Sequence, residues 1–195
     1  DAGATLEPDW VLLRPDDSGR FLAEAGIVCF PSGWSLPAQA GRELAALHAP
    51  VPGLNEALAA RIDAFLSRLA PGTVRERDNW GLAADPDLDH HPRHPRRHLR
   101  GDEPFGEVWL RRERQLFDRL PGGGILFGIR VEVRPLSEAI AASPPLAAAI
   151  ARALRTLPEA AALYKGLAEA RHLLADRLGD HVAEDPAGKA EPGSA

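Results

Sequence analysis

Gly122-Gly123-Gly124-Ile125-Leu126-Phe127-Gly128-Ile129-Arg130-Val131-Glu132-Val133 is the stretch on which the fold turns. Three successive glycines accept positive φ without steric cost, which suits a hairpin turn. After them the residues alternate. Ile125, Phe127, Ile129, Val131 and Val133 fall on one face of a strand, and Leu126, Gly128, Arg130, Glu132 and Arg134 on the other. Upstream of the turn, residues 107–119 form a second extended run. Alternation there sends Trp109, Arg111, Glu113, Gln115 and Phe117 one way and Arg112 and Arg114 the other. Such polar-bearing faces either lie in solvent with cross-strand ion pairs or line a cavity.

Working outward, Thr73 to Leu82 reads as extended, and residues 85–104, punctuated by Asp-Pro and His-Pro, read as a long exposed loop. Asn55 is a candidate N-cap for a helix whose apolar stripe is Leu58, Ile62, Phe65 or Leu66, and Leu69, ended by Pro71-Gly72. A shorter helix around Glu43 to Leu47 cannot continue through Pro50 and Pro52. Gly26-Ile27-Val28-Cys29-Phe30 reads as a short buried strand before Pro31 and Gly33. Ser143-Pro144 opens a helix with Leu146, Ile150, Ala153 or Leu154, and Leu157, and Pro158 opens another carrying Leu163, Leu167, Leu174 and Leu178. The expected architecture is α+β: a single antiparallel sheet, short helices on one side, and a C-terminal helix pair. The expected organisation is a truncated lead-in segment over 1–25 with one edge strand, a core over 26–136, the helix pair over 137–182, and a disordered tail over 183–195.

Composition removes several function classes. A formal charge of -5 lacks the basic face that a general nucleic-acid binder needs, although positive charge clusters between Arg93 and Arg114. Cys29 is the only cysteine, so neither an intrachain disulfide nor a four-thiolate iron–sulfur cluster can be built from this chain. There is no signal peptide and no apolar run of membrane-spanning length, which makes a cytoplasmic protein without a membrane partner the expectation. P-loop, dinucleotide and nucleophile-elbow patterns are absent. Redox chemistry would therefore draw its electrons from another chain.

Cys29-Phe30-Pro31-Ser32-Gly33-Trp34, Leu47-His48-Ala49-Pro50-Val51-Pro52-Gly53, Arg77-Asp78-Asn79-Trp80 and Trp109-Leu110-Arg111-Arg112-Glu113-Arg114-Gln115 follow one another in this order. Together they resemble the heme-binding alpha subunit of the heme-dependent oxidative N-demethylases, across roughly residues 7–178. The resemblance implies a PAS-like fold. It also implies oxidative removal of a methyl group from a small secondary amine such as dimethylamine by molecular oxygen, giving methylamine and formaldehyde. Heme b would sit on this chain, with flavin, an iron–sulfur cluster and NADPH on a partner reductase and companion subunits. Members carry additional sequence before the equivalent of Trp10, so part of the heme pocket or subunit interface is expected to lie in a region not represented here. The alternative is a PAS-like heme or small-ligand sensor, or an interaction subunit, without turnover.

Under this resemblance His48 is the candidate axial ligand of the heme iron, since a histidine between apolar residues and two prolines has little freedom. An isolated histidine is also, and more commonly, a core or turn residue satisfied by backbone groups. PAS-type heme sensors usually take their histidine from the long helix, and residues 55–69 contain none. Arg77, or an arginine among Arg111, Arg112 and Arg114, is the candidate for a propionate carboxylate. Trp80 and Gln115 are further cofactor-binding candidates, Trp80 by packing on the macrocycle. Asn79 is a candidate donor to bound oxygen, and Glu113 or Glu132 a candidate for the protonated amine. The run Asp89-His90-His91-Pro92-Arg93-His94-Pro95-Arg96-Arg97-His98 holds four of the seven histidines. Prolines and arginines there argue for a solvated loop over a zinc site, or for a basic surface offered to an acidic electron donor.

Overall fold

Asp16 closes the first hairpin with a side-chain turn. Its Oδ1 accepts the backbone N–H of Ser18 at 2.8 Å and of Arg20 at 3.0 Å. The computed structural model, which describes residues 8–184, places strands on either side: β1 (Asp9–Pro15) and β2 (Phe21–Ile27). Three helices follow, α1 (Leu36–Gln39), α2 (Leu44–His48) and α3 (Leu54–Arg68), then β3 (Arg75–Ala83), β4 (Trp109–Arg119) and β5 (Ile125–Pro135). The chain continues through α4 (Leu136–Ala142), α5 (Pro145–Thr156), α6 (Glu159–Tyr164) and α7 (Arg171–Glu184). The strands form one open antiparallel sheet in the order β2-β1-β5-β4-β3. The α+β architecture read from the sequence, a PAS-like sheet with intervening short helices and a C-terminal helix pair, is the one found.

Two compact units divide the residues. The first holds the chain up to Gly81, Asp87–Arg96 and Arg111–Val133; the second holds Leu82–Pro86, Arg97–Leu110 and the chain from Arg134. In the first, inward residues Val11 and Leu13 of β1 and Phe21 and Ala23 of β2 are buried with Phe117, Ile125, Leu66 and Leu69. Leu44 and Leu47 of α2, Ile62 of α3 and Phe127 pack against this cluster. Three rings fix the contact between α3 and the sheet: Phe65 meets Phe117 edge-on at 5.4 Å, and Phe117 stacks on Phe127 at 4.8 Å. α2 is held by α3, because Asn55 donates its side-chain amide to the Ala45 carbonyl at 2.8 Å.

The second unit is a helical core. Ala147, Ile150, Ala151 and Leu154 recur at the spacing of one helix face, and with Leu174, Ala175 and Leu178 of α7 they are fully enclosed. Small alanines at these positions let the two helices approach closely. Arg177 ties α7 to the preceding loop, donating to the carbonyls of Gly101 at 2.6 Å and Glu103 at 2.8 Å while its guanidinium lies over Phe105 at 4.7 Å.

Local expectations are corrected in four places. The strand expected over 26–30 is Phe21–Ile27, so the region before residue 26 holds two strands, β1 and β2. Asn55 is not an N-cap: Gly53, at φ 71, precedes the first turn of α3, and Asn55 is spent on α2. Residues 136–142 form a helix not foreseen, with Ser143 at its C-terminal end. The helix expected from Pro158 onward is two helices, and Leu163, placed on its apolar stripe, is 71% exposed. Gly166, at φ 68, makes the break, and a Cβ there would collide with the His98 ring. Of the expected tail, residues 183 and 184 close α7, and 185–195 lie outside the described residues.

Arg111 sets the start of β4. Its side chain is buried, 6% exposed, and donates to five acceptors. Nη1 reaches the Asp87 carbonyl at 3.0 Å; Nη2 reaches Leu88 at 2.8 Å, Phe30 at 3.1 Å and Pro31 at 3.4 Å; Nε reaches the Ser32 hydroxyl at 2.9 Å. From β1, the buried Asp9 accepts the N–H groups of Cys29 and Phe30, each at 2.9 Å. On the other side of β4 the arginines have a different life. Arg112 pairs with Asp78 at 2.8 Å and reaches Glu132 at 3.9 Å, and Arg114 pairs with Glu76 at 2.8 Å, all of them substantially solvent-exposed.

Replacing Arg111 by Met removes the side-chain donor of four carbonyls, of which Pro31 keeps a backbone donor, the His90 N–H, and is expected to cost roughly 3 kcal/mol in urea unfolding. Arg112→Ala removes only a solvated pair and should move the urea midpoint far less. Equal losses for the two variants would contradict the distinction.

Candidate functional site

His48 stands on the last residue of α2, one position beyond Leu47, which is packed into the apolar cluster. The imidazole is half-buried and makes no side-chain hydrogen bond among the described residues. Burial lowers its pKa below the usual 6.5, the positive charge of Arg77 lowers it further, and Asp63 on α3 opposes both. At neutral pH it is therefore an uncharged ring with lone-pair capacity, the form in which histidine ligates a metal.

Arg77 comes from β3. Burial pushes its pKa down, with Glu113 acting in the opposite direction. Its Nε donates to Gln115 Oε1 at 2.6 Å, and its guanidinium lies 5.8 Å above the Phe117 ring. The two terminal nitrogens have no partner among the described residues. Gln115, only 6% exposed, passes the chain on: its Nε2 donates to Glu113 Oε2 at 2.9 Å. Asn79 Nδ2 reaches the same oxygen at 3.3 Å. Glu113 Oε1 is left without a protein partner among the described residues.

One face of β3 and β4 thus gathers Asn79, Glu113, Gln115 and Arg77 in a hydrogen-bonded row, ending on the aromatic floor of Phe117 and Phe127 and close enough to His48 for Arg77 to shift its titration. Other candidates lie elsewhere. Arg111 is consumed by loop carbonyls, and Arg112, Arg114 and Glu132 belong to the ion-pair ladder on the opposite face. Trp80, 38% exposed, falls by alternation with Glu76 and Asp78, away from Asn79. In the histidine-rich loop, Asp89 accepts the backbone N–H of His91 at 2.9 Å and contacts His94 Nε2 at 3.1 Å and Arg93 at 3.4 Å.

Two contributors escaped the sequence reading. Phe117 was legible as a neighbour of Gln115 on one strand face, and its role as the floor beneath Arg77 needed only that observation. Asp63 carried no signal, because its influence on His48 depends on how α2 and α3 pack.

Chemically, the row suits a planar metal cofactor bearing carboxylates. A neutral imidazole without a competing hydrogen bond can bind the metal, a guanidinium with free terminal nitrogens can take a carboxylate in a fork, and stacked rings offer an apolar wall. A carboxylate oxygen remains for a cation.

The comparison with protein families agrees with this chemistry. A model described as haem-dependent oxidative N-demethylase, alpha subunit-like, matches residues 2–175. That match takes in both compact units and nearly every described residue. The name carries dependence on heme, oxidative N-demethylation, and the existence of further subunits. No helix among the described residues is long and apolar enough to cross a membrane. By a match over most of its length, this chain belongs to the haem-dependent oxidative N-demethylase alpha subunit-like family.

Proposed function

We propose that the chain is the heme-binding subunit of an oxygen-dependent oxidative N-demethylase acting on a small secondary amine, dimethylamine or one close to it in size. The observation that carries this reading is His48: half-buried, uncharged at neutral pH, without a side-chain partner, and beside an arginine with free terminal nitrogens. His48 would hold heme b through its imidazole, and Arg77 would hold one propionate. Once bound, the heme supplies oxygen activation.

The remaining residues prepare the amine. Glu113 presents Oε1 to the ammonium N–H, while Asn79 and Gln115 hold Oε2 and keep the carboxylate from rotating. Its negative charge favours the cationic amine over a neutral isostere of the same size. Phe117 and Phe127 supply an apolar surface that excludes water from the methyl group. The overall change is balanced: one methyl C–H is hydroxylated with one oxygen atom, and the resulting carbinolamine C–N bond breaks to give methylamine and formaldehyde. The second oxygen atom leaves as water, with two electrons and two protons supplied from outside. Flavin, iron–sulfur cluster and NADPH on a partner reductase are the source of those electrons, in keeping with the single cysteine of this chain.

The test is formaldehyde release from dimethylamine by the heme-loaded chain supplied with a reductase. One formaldehyde per oxygen consumed is expected, with Glu113→Gln raising KM for the amine roughly tenfold or more, the scale of a lost charge-assisted hydrogen bond. Bound heme with no amine-dependent formaldehyde would overturn the proposal.

A further inference from the structure

Cross-strand residues of opposite charge ordinarily close on each other. On the exposed face of β3 and β4 they do so twice, Arg112 with Asp78 and Arg114 with Glu76, both at 2.8 Å. On the opposite face of the same two strands, Arg77 and Glu113 form no ion pair among the described residues and each bonds to Gln115 instead. Arg77 and Glu113 stand one position along each strand from these pairs, at the same cross-strand offset, where opposite charges would close in the same way. Something must hold them apart, and the group between them is Gln115.

The Gln115 amide can serve both only in one orientation. Its oxygen accepts Arg77 Nε–H at 2.6 Å, and its NH2 donates to Glu113 Oε2 at 2.9 Å. The reverse orientation would set an amide oxygen against a carboxylate and an NH2 against a guanidinium. With the side chain 6% exposed, water cannot easily replace either bond. We propose that Gln115 is a positioning residue, a neutral spacer that satisfies Arg77 and Glu113 singly and so keeps them from neutralising each other. As a result the row presents a cation and an anion as two separate sites, the Arg77 terminal nitrogens for a carboxylate and Glu113 Oε1 for an ammonium. The identity of those ligands rests on the function proposed above; the spacing does not.

A hydrophobic residue of similar length removes both bonds. In the haem-free crystal structure of Gln115→Leu, Arg77 and Glu113 are expected in direct contact at about 2.8 Å. Structures with the two groups still apart would overturn the spacer role whatever the chain binds. In optical titrations Gln115→Leu should bind hemin roughly tenfold more weakly, because Arg77 is captured by Glu113. Adding Glu113→Gln should restore hemin affinity to that of Glu113→Gln alone, a rescue that a loss of packing would not show. Weakened hemin binding without rescue contradicts the proposal. If Gln115→Leu does not fold, Gln115→Asn, too short to span both partners, should show the same weakening and the same rescue. Should the wild type take up no hemin, the function proposed above fails, and the crystallographic distance alone decides the spacer.

Discussion

The guanidinium of Arg111 is what fixes the register of β4. It collects carbonyl oxygens from two segments far apart in sequence, residues 30–31 and 87–88, and a hydroxyl from Ser32. Because five acceptors converge on one side chain, β4 has a single workable register at its start. A slip of one residue would turn the whole strand over. Arg112 and Arg114 would then face inward, and Glu113, Gln115 and Phe117 would face solvent. Fixing Arg111 therefore fixes the side of the strand on which Glu113, Gln115 and Phe117 fall, two to six residues along.

From that register the site follows by local rules. Phe117 lands between Phe65 and Phe127, which seats α3 on the sheet. Asn55 fastens α2 to α3, and α2 ends on His48. Gln115 and Glu113 meet Arg77 and Asn79 from the neighbouring strand. An aromatic floor, a neutral imidazole and a separated pair of charges are thus consequences of one strand's placement. The division of labour among four closely spaced basic side chains has the same origin: Arg111 builds, Arg112 and Arg114 solvate, and Arg77 is left available.

Strong periodicity was legible. Residues 125–135 and 109–119 alternate cleanly, and three glycines announce the turn between them, so β4, β5 and the composition of each strand face could be read directly. Helix α3 was legible from its apolar stripe and the Pro71-Gly72 stop, while the sequence puts its cap at Asn55 and the structure at Gly53. What could not be read was which face points inward, because alternation pairs Arg111 with Gln115 but gives no interior. Nor could the use of Arg111, whose partners lie at least 23 residues away. β2 was misplaced because Ala23, Ala25 and Gly26 have little strand propensity. Gly26 is there for a tertiary reason: a Cβ would collide with the Trp10 carbonyl of β1. The family motifs named His48, yet its burial, neutrality and neighbours Arg77 and Asp63 are products of packing.

Under the proposed function, this packing makes His48 a metal ligand and not a core histidine. The most direct measurement is an equilibrium titration of hemin into the purified chain, followed through its Soret band, beside His48→Gly with and without added imidazole. One hemin per chain is expected for the wild type, with an altered or lost Soret shift in the variant and recovery when imidazole fills the place of the missing side chain. A variant spectrum identical to that of the wild type would contradict that role.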